Sequence, residues 1–203
     1  MDEPAPRQPI SLTARLAVLA FYAALTALAS FLARLAHLHP WSNIHLHPHA
    51  LALGLLTASP LAAWLVLVLT LNGFGFGHLR RATLDLLRPF FSSLTTLDLL
   101  SLSLLAGFVE ELLFRGVLQP WAASRWGLPT ALLATNLLFA AAHALTPSYA
   151  AVAFLIGSYL GAASALTGNL AIPIIAHAAY DALALAALRR TPQNLDLPDP
   201  TRP

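Results

Sequence analysis

Apolar residues run along this chain in long stretches, separated by short polar or proline-bearing breaks. A helix needs about 20 mostly apolar residues to cross the hydrocarbon of a bilayer. Stretches close to that length lie at 12–33, 50–71, 97–119, 128–145, 149–167 and 170–189. None alternates apolar with polar residues at period two, the mark of a half-buried strand. Backbone groups in hydrocarbon must also bond within their own segment, so these stretches predict helices. The pattern therefore predicts an all-α fold, a polytopic transmembrane helical bundle of about six spans.

Composition supports lipid as the solvent. The 203 residues are 58% hydrophobic and 10% charged, against about 25% charged in soluble domains. So few charges cannot keep a surface wet. The net charge of +2 does not read as nucleic-acid binding. The basic residues are all Arg and sit at the ends of apolar stretches, where helices meet water and head groups. The absence of cysteine excludes disulfides and thiolate chemistry. Composition is even along the chain. This predicts one transmembrane domain at 12–190, a cytoplasmic N-terminal segment at 1–11, and a proline-rich, disordered cytoplasmic tail at 191–203. The first apolar stretch is long enough to span and lacks a basic leader, which predicts an uncleaved helix rather than a signal peptide.

Arginine placement predicts the orientation. With the N-terminus in the cytoplasm, Arg7, Arg15, Arg80, Arg81, Arg88, Arg189, Arg190 and Arg202 lie inside, and Arg34 and Arg125 outside. That asymmetry predicts N-in and C-in. The run Asn72-Gly73-Phe74-Gly75-Phe76-Gly77 lacks the spacing of a dinucleotide fingerprint and reads as a flexible turn. Residues 79–91 mix Leu and Phe with Arg, the composition of an interfacial helix. Gly157 and Gly161 form a GxxxG pair that predicts close helix packing. Pro60 and Pro173 fall within spans and predict kinks.

Ionisable residues inside spans are costly, and each asks for a partner or a role. The third span carries Glu110, Glu111 and Arg115 among Leu, Val and Phe. Glu111 and Arg115 are four apart and share a helix face, in the favourable order. Glu110 is rotated by about 100° from Glu111, so it points elsewhere and lacks a local cation. The fourth span ends at His143, and the sixth carries His177 and Asp181 four apart on one face. Asp181 can there orient the imidazole or join it as a ligand. Convergence of the three spans would bring one buried carboxylate and two imidazoles into a single site. Taken singly, each has a structural reading. An intramembrane His can serve as a helix–helix hydrogen-bond donor, and Glu111–Arg115 as a packing pair.

In order, EExxxR at Glu110, Glu111 and Arg115, FxxxH at Phe139 and His143, and HxxxD at His177 and Asp181 resemble the CPBP family of intramembrane proteases. This family includes the type II CAAX prenyl endopeptidases and bacterial bacteriocin-processing or self-immunity proteins. The run 110–120 resembles its first motif, Thr167-Gly168-Asn169-Leu170 fits before the last, and the likeness covers about 97–190. The resemblance implies a helical bundle with its site below the membrane surface. Glu110 would activate a water with help from His143, and His177 and Asp181 would bind or polarise the scissile carbonyl. Glu111 and Arg115 would brace the site. Some relatives carry Asn at the position of Asp181. An amide can donate to an oxyanion, whereas an ionised Asp cannot.

Peptide hydrolysis needs an activated water and a stabilised oxyanion, and these residue types can supply both. One carboxylate with two imidazoles (Glu110, His143 and His177) also matches a catalytic set for a divalent metal such as zinc. No HExxH is present, and a metal-free water activated by Glu and His uses the same side chains, so both versions stand. The expected activity is that of an endopeptidase acting on a membrane-proximal bond. Its partners would be a peptide or protein substrate, membrane-associated or lipidated, and the bilayer, with no nucleic acid. The expected location is a bacterial cytoplasmic membrane. Two rivals keep the same residues: a non-catalytic binding or self-immunity protein, and a proton-coupled transporter. Arg115 beside the carboxylates and the lack of an inverted repeat fit the transporter less well. A second histidine group, His37, His39, His45, His47 and His49, lies in the loop after the first span, where an interfacial loop is the plainer reading than a metal site.

Overall fold

The computed structural model describes residues 11–71, 76–91 and 94–190. The expected N-terminal segment up to residue 10, positions 72–75 of the glycine-rich turn, and the tail lie outside the described residues. The helices are α1 (Leu12–Leu35), α2 (Pro48–Thr70), α3 (Phe76–Phe91), α4 (Thr96–Leu113), α5 (Gln119–Trp126), α6 (Leu128–Ala142), α7 (Pro147–Thr167) and α8 (Ala171–Arg190). No strand occurs among the described residues. Local chemistry sets several helix starts. Ser11 and Thr146 accept N–H bonds from the first turns of α1 and α7, and Thr95 with Asp98 closes a capping box on α4.

Four helices, α1, α2, α7 and α8, are long and apolar enough to cross a membrane. The other two expected spans depart from that standard for distinct reasons. The third is a helical path through α4, a π turn at Phe114–Leu118, and α5, and it carries Asp98, Glu110 and Glu111. The fourth is α6, whose 15 residues rise only about 22 Å, against about 30 Å of hydrocarbon. It ends at Ala142, with His143 as its C-cap. Many large apolar side chains on the spanning helices face outward, among them Leu16, Phe21 and Phe31 on α1 and Leu55, Leu56 and Val66 on α2. This is the surface of a membrane protein.

Helix α8 packs chiefly against α2 on one side and α4 on the other. Both crossings are close because a glycine sits at each. A Cβ on Gly107 would lie 2.7 Å from the Ala178 backbone nitrogen, and one on Gly54 would lie 2.6 Å from Ile175 Cβ. Helix α1 covers α4, and α5, α6 and α7 pack in succession. At one end of the bundle Arg15 pairs with Asp98 at 3.2 Å, and Arg189 donates to Thr96 Oγ1 at 3.0 Å. The starts of α1 and α4 and the end of α8 therefore share that end. At the opposite end Asn169 accepts from His45 N and donates to His45 O, which ties the α7–α8 connection to the loop before α2.

The region 79–91 is indeed an amphipathic helix. Leu79, Leu84, Leu87 and Phe91 of α3 turn toward a cavity bounded also by α2, α7 and α8. The expected kink at Pro173 does not arise. Helix α8 starts at Ala171, so the proline occupies the first turn, where its missing N–H has no intrahelical acceptor to lose. Helix α2 runs through Pro60 to Thr70.

Candidate active site

The three polar clusters converge. Glu111 is fully buried, and its Oε1 accepts from Arg115 Nη1 at 2.9 Å and faces His177 Nδ1 at 2.9 Å. An arginine-paired carboxylate is an acceptor, so the proton lies on His177 Nδ1. Arg115 also donates through Nη2 to the Gly157 carbonyl at 2.7 Å and to Asn136 Oδ1 at 3.3 Å. The Phe139 ring lies 4.7 Å from the guanidinium carbon. A Cβ at position 157 would lie 3.1 Å from Asn136 Oδ1 and 3.2 Å from Arg115 Nη2, so a larger residue there would press on these side chains. The contact repeats one turn on, where Gln119 Nε2 donates to the Gly161 carbonyl at 3.0 Å. The GxxxG pair thus serves close packing as expected, and in addition it bares two carbonyls to polar side chains of the neighbouring helix. The π turn at Phe114–Leu118 carries Arg115 and Gly116 through this contact, and such turns recur at functional sites.

In front of this buried brace lies a cavity of about 400 Å³. Its walls are mainly apolar, with Glu110, His143, His177 and Asp181 grouped among the lining residues. His143 Nδ1 is 2.8 Å from the Phe139 carbonyl, which can only accept, so Nε2 is the nitrogen turned toward Glu110 Oε2 at 3.6 Å. His177 Nε2 faces Asp181 Oδ2 at 3.5 Å. Both separations exceed good hydrogen-bond length. Glu110 Oε2 has no hydrogen-bond partner among the described residues. Each imidazole is therefore pinned through Nδ1, and each turns Nε2 toward a cavity carboxylate.

Helical spacing pairs Glu111 with Arg115 and sets Glu110 apart from them, and the tertiary structure agrees. His177 holds a difference: the carboxylate that orients it at hydrogen-bond distance is Glu111, 66 residues away in sequence, with Asp181 standing farther off. Motif and spacing did not single out Asn136, the Gly157 carbonyl, or Tyr22, Tyr149 and Tyr180, which line the cavity. An Asn inside an apolar helix, seven residues before His143, was a signal for Asn136. The tyrosines carry no such signal, because Tyr is common on apolar faces.

The donors do not fit a metal ion. Glu110, His143 and His177 do not close into a ligand set, and among the described residues no three His, Asp or Glu side chains are placed to hold one ion. The loop histidines 37, 39, 45, 47 and 49 are exposed and form no such group either. His47 instead caps α2, its Nδ1 accepting from Ala50 N, and its ring stacks on His49 at 6.0 Å.

An acid–imidazole cluster braced by a buried Arg and opening on an apolar cavity has the side chains that acid–base chemistry requires. Residues 92–183 match the family described as type II CAAX prenyl endopeptidase Rce1-like, and this segment holds all seven motif residues. That segment is similar to the Rce1-like family, whose description is that of a CAAX-type endopeptidase. No curated protein and no solved structure matches the chain.

Proposed function

We propose that this protein is an intramembrane endopeptidase in which Glu110 and His143 activate the hydrolytic water. The observation that carries the reading is the pairing of Glu110 Oε2 with His143 Nε2 at 3.6 Å in the wall of the cavity, with Glu110 Oε2 unbonded. A water between these groups gives its proton to the Glu110/His143 pair as its oxygen attacks the carbonyl carbon. The carbonyl electron pair moves onto oxygen, on the side of His177 and Asp181. Collapse reforms the C=O bond, breaks the C–N bond, and returns the proton to the leaving amine. Glu111 and Arg115 act behind this site by holding His177 in place.

The substrate would be a prenylated protein ending in a CAAX sequence, in keeping with the family description. The mainly apolar cavity suits a lipidated chain end. A divalent metal, if bound, would engage Glu110, His143 and His177. The donor arrangement does not favour this, and no step above runs through a metal. We further propose six spans within one domain at 12–190, N-in and C-in, in a bacterial cytoplasmic membrane. Arg15 and Arg189 at one end of the bundle support that orientation.

The test uses the full-length protein in lipid nanodiscs and an internally quenched peptide with a farnesylated cysteine three residues before its free C-terminus. Glu110→Gln keeps shape but not basicity, and a loss of about 10²–10⁴-fold in turnover is expected. Wild-type turnover by Glu110→Gln would sink the catalytic reading and leave a binding role.

A further inference from the structure

One residue breaks the apolar stripe of α3. Arg80, Leu84, Leu87 and Phe91 follow the i, i+4, i+7, i+11 spacing of a single helix face. The three apolar members line the cavity in front of the site, and so does Arg80. A helix at a membrane surface normally turns its arginines to water or head groups. Arg80 is instead only 5% exposed. Taking a guanidinium out of water is costly, and Arg cannot shed its charge to lower the cost. The chain has no Lys, and among the described residues that line the cavity Arg80 is the one arginine. Arg115 lies behind the wall, held by Glu111 and the Gly157 carbonyl.

The Arg80 guanidinium is held in place. Its Nη1 donates to the Leu69 carbonyl at 2.6 Å, in the last turn of α2, where helix carbonyls look for donors outside the helix. A carbonyl orients a guanidinium and adds no negative charge. The planar fork of five N–H donors suits a carboxylate, which can take two of them at once.

Depth relates this charge to the acid–imidazole cluster. Helices α2 and α8 run side by side in the same direction: Gly54 meets Ile172 and Ile175, while Ala58 and Leu61 pack with Ala176, Ala179 and Tyr180. Leu61 therefore marks the level of Tyr180 and its neighbour Asp181. Leu69 comes eight residues later on α2, about 12 Å of helix rise, toward the end of the bundle that carries Arg189. In an extended chain, a C-terminal carboxylate three residues past a carbonyl lies about 10 Å from it. The two lengths match. Leu65 and Val68 of α2 and Ala184 and Leu188 of α8 supply apolar walls along the way.

We propose that Arg80 determines specificity by binding the free C-terminal carboxylate of the substrate, three residues past the cleaved bond. This rests on the endopeptidase reading above and names the group that seats the chain end. The contact is remote from the reacting atoms and is made equally in ground and transition states. It therefore acts on binding and on which peptide bond meets Glu110 and His143.

The test uses full-length protein in nanodiscs of zwitterionic phosphatidylcholine and two farnesylated quenched peptides, one ending in a free carboxylate and the other in a carboxamide. Wild type should favour the acid by about 10–100-fold in kcat/KM, mostly through KM, as expected for a hydrogen-bonded charge pair. In Arg80→Gln that ratio should fall to about 1–2, and Arg80→Lys, which keeps the charge, should hold at least about a third of it. A residue that only ties α3 to α2 would lower both peptides together and leave the ratio unchanged. Equal cleavage of the two peptides by wild type overturns the assignment and leaves Arg80 to a lipid phosphate or to helix packing. An unchanged ratio in Arg80→Gln overturns it too, as does loss of both peptides with a lowered unfolding temperature. Glu110→Gln separates the two claims: silent on both peptides, it keeps the endopeptidase standing whatever Arg80 does, and active, it overturns both.

Discussion

Gly107→Ala probes the link between helix packing and the site. The added Cβ would stand 2.7 Å from Ala178 N and 2.9 Å from Ala178 Cβ, where ordinary contact begins near 3.4 Å. The obstacle includes backbone, so no side chain can swing aside. Helix α8 must move away from α4 by about 0.7 Å, which is 3.4 less 2.7. Ala178 follows His177, whose Nδ1 is held 2.9 Å from Glu111 Oε1. A displacement of that size along the bond would stretch it beyond hydrogen-bond range. A shift near 1 Å at a catalytic group costs about 10²-fold, so turnover should fall on the order of 10–100-fold. Overpacking should cost about 1–3 kcal/mol of stability. Gly168→Ala is the contrast. Gly168 has φ +62°, and a Cβ there would meet nothing within 4 Å, so only backbone strain is at stake. That change should cost about 1–2 kcal/mol and leave kcat unchanged. The assay is turnover of the farnesylated peptide in nanodiscs, with thermal unfolding of the same samples. Normal turnover and an unshifted unfolding temperature for Gly107→Ala would refute the claim that this crossing sets the His177–Glu111 distance.

Two further outcomes follow from single contacts. Arg115→Leu leaves buried Glu111 without its cation, and should cost about 3–5 kcal/mol together with most of the activity, read by thermal unfolding and peptide cleavage. His37 ends the α1 turn with φ 54°, a left-handed conformation in which a side chain is strained. His37→Gly should therefore raise stability by about 0.5–1 kcal/mol with unchanged turnover, checked by the same unfolding measurement.

Much of the site was legible along the chain because helix geometry is local. Spacing alone paired Glu111 with Arg115, turned Glu110 away from them, and set His177 and Asp181 on one face, since four residues make about one turn. Run length and composition likewise announced helices in lipid. One local reading needed correction from an element boundary: Pro173 opens α8 instead of bending it, while α6 is a shorter helix than the stretch expected at 128–145.

The tertiary structure alone decided which helix meets which. The bond from Glu111 to His177 spans 66 residues, and that from Arg115 to the Gly157 carbonyl spans 42. Neither follows from periodicity, because the relative rotation and depth of two packed helices depend on where small residues let them approach. Gly107 against Ala178, and Gly157 and Gly161 against Arg115 and Gln119, set those depths. The π turn and the corner that brings Tyr149 beside His143 belong to the same class of fact. The residue types and their helical faces were written in the sequence, while the partner of each buried polar group was chosen by close packing, which acts between segments far apart in the chain.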